Sequence, residues 1–261
     1  MSVNGDRPPK VPGRDDPRPL PKRFYASVTV VPRGTGFAVL LDTRTARTPK
    51  RRELVLPASA LAQAVAGEWD AQRSAIDPAA MPLTRLVNTV LDGIEGRESE
   101  VRADIVKYAG SDLLCYRAED PEKLVALQAA TWDPVLSWAK SSLGIRLALS
   151  GGVMPVRQSQ EALDAVALAV APLDAFRLAS LHVMVTLTGS AILGLAVLRG
   201  HLAPEAAWSA AHVDEDWQIA RWGEDAEATA RRARPTSCAI WADAAEIFSL
   251  RTIVRACLMT R

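Results

Sequence analysis

The chain has 261 residues, 49% hydrophobic and 23% charged, which is enough apolar material for one large domain or two small ones. A net charge of +1 excludes a general polyanion binder, which would carry a basic excess or stripe. The three cysteines, Cys115, Cys238 and Cys257, are far apart and odd in number, so they offer neither a disulfide framework nor a zinc site and suit a reducing compartment.

Residues 1–21 hold six prolines among mixed charges and read as a disordered tail. No apolar signal segment opens the chain, and Asp6, Asp15 and Asp16 do not suit a mitochondrial presequence. The expectation is a bacterial cytoplasmic protein, or a matrix protein in a eukaryote. A period of two from Phe24 to Val31, a turn at Pro32–Gly36 and a return over Phe37–Leu41 predict a β-hairpin. Asp42-Thr43-Arg44 is a further turn, and short strands near Thr45–Thr48 and Glu53–Leu56 complete a small meander.

From Ser59 the period becomes helical. Ser59 is the predicted cap for Leu61, Val65 and Trp69. Pro82 opens a helix carrying Leu83, Leu86, Val87, Val90 and Leu91 that stops at Gly93, and Val101, Ile105 and Tyr108 mark another that ends at Gly110. Leu124 to Trp138 continues the pattern across Asp133-Pro134, which is either a fresh cap or a kink. Leu147–Leu149 is a candidate lone strand that rejoins the sheet. Helical pattern resumes from Gln158 to about Phe248, with breaks near Pro172, Gly200–Pro204 and Gly223.

Leu178–Leu198 carries no formal charge and is long enough, at ~1.5 Å per residue, to reach across a ~30 Å bilayer core. His182, Thr186, Thr188 and Ser190 dilute it and no second such run exists. The preferred reading is one central core helix, apolar all round, in which Gly189 and Gly194 let neighbours approach.

Catalytic motifs are missing from the sequence. It has no phosphate-binding G-x-x-x-x-G-K-[ST] loop and no G-x-S-x-G elbow. Cys115 lies among Leu113, Leu114 and Tyr116 and reads as an inert buried thiol. His201, His212 and Glu215 match no recognised metal spacing. Neither a metal nor a cofactor is expected.

The seven tryptophans, Trp69, Trp132, Trp138, Trp208, Trp217, Trp222 and Trp241, sit mostly on helical stripes, where core packing is the default and partner anchoring the alternative. On a helix running from Glu205 to Trp222, the residues Trp208, His212, Glu215, Ile219 and Trp222 share one narrow face. A carboxylate in the middle of that face is either paired locally with His212 or presented to a basic group on a partner.

Three clusters fall between residues 68 and 117: Glu68-Trp69-Asp70-Ala71-Gln72, Met81-Pro82-Leu83-Thr84 and Ser111-Asp112-Leu113-Leu114-Cys115-Tyr116-Arg117. With Trp132-Asp133-Pro134 and Glu215-Asp216-Trp217-Gln218 they resemble the assembly chaperone family that binds the free α subunit of the soluble catalytic head of F-type ATP synthase. The resemblance runs from about Phe24 to about Ile247. Thr43 stands where that family usually has glycine, and threonine resists positive φ.

The resemblance implies an ATP-independent chaperone that is not an enzyme. It implies the ATP synthase α subunit as partner, and a functionally important acid at Glu215, within the partner-binding set Glu215, Trp208, His212, Ile219 and Trp222. Nucleic acid and a membrane span are not expected, and the free protein is expected to be monomeric. The other class of reading is a cytoplasmic enzyme using a Glu215/His212/Cys115 cleft. The fold expected is α+β, with a tail over 1–21, a small β-rich part over 22–57 and a larger, mostly helical part over 58–261.

Overall fold

The computed structural model describes residues 19–152 and 154–223. It is an α+β protein, with a small sheet at the N-terminal end and a larger helical part after it. The tail expected over 1–21 lies mostly outside the described residues. Its last residue is tied down, because the Pro21 carbonyl accepts a hydrogen bond from Ile76 N at 2.8 Å.

Strand β1 (Val28–Arg33) pairs antiparallel with β2 (Gly36–Leu41), Val30 opposite Val39. Gly34 turns the hairpin with φ +59°, and a Cβ on Gly36 would stand 2.7 Å from the Leu56 carbonyl oxygen. Positive φ at the next turn falls on Asp42 (φ 55°), so Thr43 is spared the conformation that glycine would supply. The third strand position is filled by two pieces, β3 (Arg44–Thr45) beside Leu40 and Leu41, and β4 (Val55–Leu56) beside Phe37 and Ala38. The chain leaves the sheet between them and returns at Leu54, whose N–H donates to Ala46 O at 2.9 Å.

The buried face of the sheet, with Val39, Leu41, Ala46, Leu54 and Leu56, packs on α1 (Ser59–Ala71) and α2 (Pro82–Thr89). Ala175, Phe176 and Ala179 from later in the chain complete this core. Pro57 therefore marks the passage from strand to helix, while the core beneath the sheet draws on both sides of it. Ser59 is the first helical residue of α1; Ala58 occupies the cap position without a side-chain bond, so the predicted serine cap is displaced by one residue. Helix α2 does not stop at Gly93. It widens into a π-type turn over Val90–Ile94, and the chain reverses at Gly96 with φ +86°.

The second core lies among α3 (Glu98–Ala109), α4 (Glu122–Leu143), α5 (Gln160–Val170), α6 (Ala175–Thr188), α7 (Ala191–Leu198) and α8 (Pro204–Ala211). Helix α4 runs through Pro134 without a break, so Asp133-Pro134 is not a fresh cap. The strand expected at Leu147–Leu149 is Ser150–Gly151 (β6), which pairs parallel with Tyr116–Arg117 (β5) in a separate two-stranded ladder and does not join the main sheet.

The uncharged run Leu178–Leu198 is two helices, not one. Gly189 closes α6 in the left-handed region with φ +67°, and Ser190 caps α7 by accepting from Leu193 N. All eight residues of α7 are buried, and a Cβ on Gly194 would meet Leu181 Cδ1 at 2.9 Å, so this glycine sets how closely α6 and α7 approach. Among the described residues no helix is long and apolar enough to cross a membrane.

Candidate functional site

The clusters that carry the family resemblance turn out to be joints of the scaffold. Glu68, at the end of α1, reaches sixteen residues along the chain to the start of α2. Its carboxylate accepts from Leu83 N, Thr84 N and the Thr84 hydroxyl, each at 2.7 Å. Pro82 has no N–H, so the next two donors of α2 are the ones that need an acceptor, and an anion is also favoured at a helix N-terminus. Buried Gln72 accepts from Asp77 N at 2.8 Å, and the Trp69 carbonyl accepts the Tyr25 hydroxyl at 2.7 Å. Arg23 donates to the carbonyls of Asp70 and Gln72 at the C-terminal end of α1, where a cation is favoured. Glu68→Ala is expected to lower unfolding free energy by about 2–4 kcal/mol, because two cap donors and a buried hydroxyl lose a charged acceptor. Urea unfolding checks this, with Glu68→Gln expected to fall between the two.

Asp112 is a second joint. It is wholly buried, caps the short turn Leu113–Cys115 through Leu114 N at 3.1 Å, and accepts from Ile192 N in the first turn of α7 at 3.1 Å. Burial pushes its carboxyl up to about 6, against the Ser190 hydroxyl and the Ile192, Leu114 and Ala191 N–H groups that pull it down.

A third joint fixes α9 (Val213–Trp222). Trp132 Nε1 donates to Ala210 O at 2.7 Å. Arg117 lies over the Trp132 ring at 5.1 Å and pairs with Asp133 at 2.7 Å. Gln128, buried in α4, accepts from Ala118 N at 2.8 Å and donates to Asp214 at 2.7 Å. Gln128 and Asp214 escaped the sequence reading, since a link across 86 positions leaves no local pattern. For Asp112 a local signal existed: a Ser-Asp pair ahead of an apolar run is a capping pattern.

These joints present a surface on α8 and α9. The single helix expected from Glu205 to Trp222 is broken at His212 (φ −111°, ψ 17°). The five named residues are nevertheless in series across the break. The Trp208 and His212 rings lie 4.2 Å apart, and His212 Nδ1 meets the Trp208 carbonyl at 2.7 Å. His212 Nε2 stands 4.0 Å from Glu215, and Ile219 and Trp222 follow on the same face of α9. The His212 side chain is 13% exposed and that of Glu215 61%; Ile219 is half-buried and Trp222 is 75% exposed. Glu215 is therefore an open charge with a loose histidine neighbour, not a carboxylate in a core. Asp214 faces α4 instead. On the other side of α9, a groove of about 460 Å³ is lined by Pro121, Glu122, Lys123, Trp217, Ala220 and Arg221.

Cys115 does not join Glu215 and His212 in a cleft. It is fully buried, its sulfur accepts from Gln158 at 3.4 Å, and burial with the nearby Asp112 charge pushes its thiol up to about 12. His201 stacks on Trp138 at 4.7 Å, and the described residues contain no group of three potential metal ligands. Trp241, Cys238 and Cys257 lie outside the described residues.

Residues 22–140 match the family model of the ATP12 chaperone protein. The mitochondrial protein atp12 of Schizosaccharomyces pombe is 25% identical over 224 residues, 80% of this chain and 77% of that protein. The crystal structure of Atp12 from Paracoccus denitrificans superposes with a TM-score of 0.82 at 43% identity, covering 87% of this chain and 97% of that one. A second solved structure, Atu1473 from Agrobacterium tumefaciens, gives 0.83 at 48% identity over 90% of this chain and 87% of that one. With near-complete coverage of the Paracoccus protein at that identity, the chain belongs to the ATP12 chaperone family.

Proposed function

We propose that this protein is an ATP-independent assembly chaperone of ATP synthase, which holds the free α subunit of the catalytic head and prevents its aggregation before assembly. A subunit destined for a ring exposes apolar interfaces while alone, and a holder need only cover them until the correct neighbour binds more tightly. The observation that carries this reading is the open face of α8 and α9, where an unburied glutamate stands between half-buried Trp208 of α8 and exposed Trp222 at the end of the anchored α9. Aromatic anchors beside a presented charge are the composition of a protein-binding surface. Membership of a chaperone family supports the same reading, and buried Cys115 weighs against the enzymatic one.

Light scattering of isolated α subunit during dilution from denaturant tests the proposal. Near one-to-one addition of this protein is expected to suppress the scattering without ATP. Scattering unchanged by the protein would count against it.

A further inference from the structure

We infer that the chain excursion between Arg47 and Glu53 is a docking site for an acidic segment of a protein partner, separate from the α9 face. The excursion leaves the edge of the sheet between β3 and β4 and is closed by the Arg47–Glu53 bridge. It carries Arg47, Lys50, Arg51 and Arg52, all exposed, and Arg33 stands beside it through Thr45 at 3.1 Å and Glu53 at 2.9 Å.

The carboxylates near it are already engaged. Asp92 accepts from the Thr48 hydroxyl at 2.7 Å and from Lys50 N at 3.0 Å; Glu95 pairs with Arg52; Glu53 is shared between Arg33 and Arg47. Five cations face three committed acids, and no acidic group in the described residues is hydrogen-bonded to the guanidinium of Arg51.

The backbone of the tip is held as a fixed platform. Asp92 grips it at Thr48 and Lys50, Arg47 donates to Arg51 O at 2.9 Å, and Arg51 N donates to Thr48 O at 2.8 Å. Arg51 sits at φ +66°, a conformation that glycine adopts without penalty and arginine does not. Arg51 thus holds its guanidinium in solvent from a backbone conformation that costs stability, so the side chain's role in the proposed site is recognition.

The chemistry selects the ligand class. Guanidinium forks match carboxylates in geometry, and a pre-ordered tip lowers the cost of binding. The platform has no exposed aromatic side chain on which bases could stack and no apolar tip to enter a bilayer, so an acidic peptide fits better than nucleic acid or lipid.

The test uses the full chain and a fluorescein-labelled polyglutamate peptide, read by anisotropy at low and physiological salt. Binding that weakens as salt rises is expected, and Arg51→Glu is expected to reduce it about tenfold or more. Arg51→Gly should also weaken binding while its urea midpoint holds or rises, an outcome that a structural role for the side chain does not produce. Glu215→Lys should leave the peptide affinity unchanged, which separates this site from the α9 face. Equal binding by wild type and Arg51→Glu, or binding of phosphatidylserine vesicles or oligothymidylate in place of the peptide, or no binding of any probe, would overturn the assignment.

Discussion

Asp112→Ala is expected to lower unfolding free energy by about 3–5 kcal/mol, the largest stability effect of any single change considered. The substitution leaves the N–H groups of Leu114 and Ile192 without an acceptor inside the protein, each at a cost of about 1–3 kcal/mol. It also removes an anion from the first turn of α7, the helix at the centre of the larger core. Asp112→Asn should cost less, because one oxygen remains while the amide nitrogen must turn toward an N–H group.

The two proteins should also differ in pH response. The folded Asp112 carboxyl lies at about 6 against 3.8 when free, so between these values the folded state holds a proton that the unfolded state releases. The stability from this group is complete below about pH 4, declines as pH rises through about 6, and is then lower by about 3 kcal/mol. The advantage of wild type over Asp112→Asn should therefore shrink between about pH 4.5 and about pH 7.5. The exposed carboxylates held below their usual range, such as Asp42 and Glu98, act in the opposite direction but are common to both proteins and cancel in the difference. A difference that grows with pH across that window would contradict the account.

Glu215→Lys is expected to behave in the opposite manner, folding normally and failing in binding. The side chain is 61% exposed and its histidine neighbour stands at 4.0 Å, so unfolding free energy should change by less than about 1 kcal/mol. Affinity for the ATP synthase α subunit should fall about a hundredfold, since reversing an interfacial charge removes an attraction and adds a repulsion. Asp216→Lys places the same charge on another face of α9 and should reduce affinity far less. Urea unfolding beside a pull-down with α subunit checks both halves. A variant that folds and binds like wild type would remove Glu215 from the surface.

The parts of the fold governed by local periodicity were legible in the sequence. Alternation along Val28–Leu41 gave the hairpin, and the four-residue spacing of Leu61, Val65 and Trp69 gave α1. The break between α6 and α7 was hidden because no charged residue and no change of hydrophobic period marks it; Gly189 followed by Ser190 was the readable stop-and-cap signal. The break at His212 has no glycine or proline to announce it. The family clusters were visible as patterns, but their work was not. That Glu68 caps α2, and that Asp112 serves two elements, are facts of three-dimensional proximity. At the α9 face the sequence supplied the residues and their order, while their exposure came from the packing of α4 against α9 through Gln128 and Asp214.

Size-exclusion chromatography of the full chain mixed with isolated ATP synthase α subunit tests the chaperone assignment most directly. The expected result is a one-to-one complex that forms without nucleotide and is dissolved when β subunit is added. Separate elution of the two proteins, with the α subunit lost as aggregate, would contradict it.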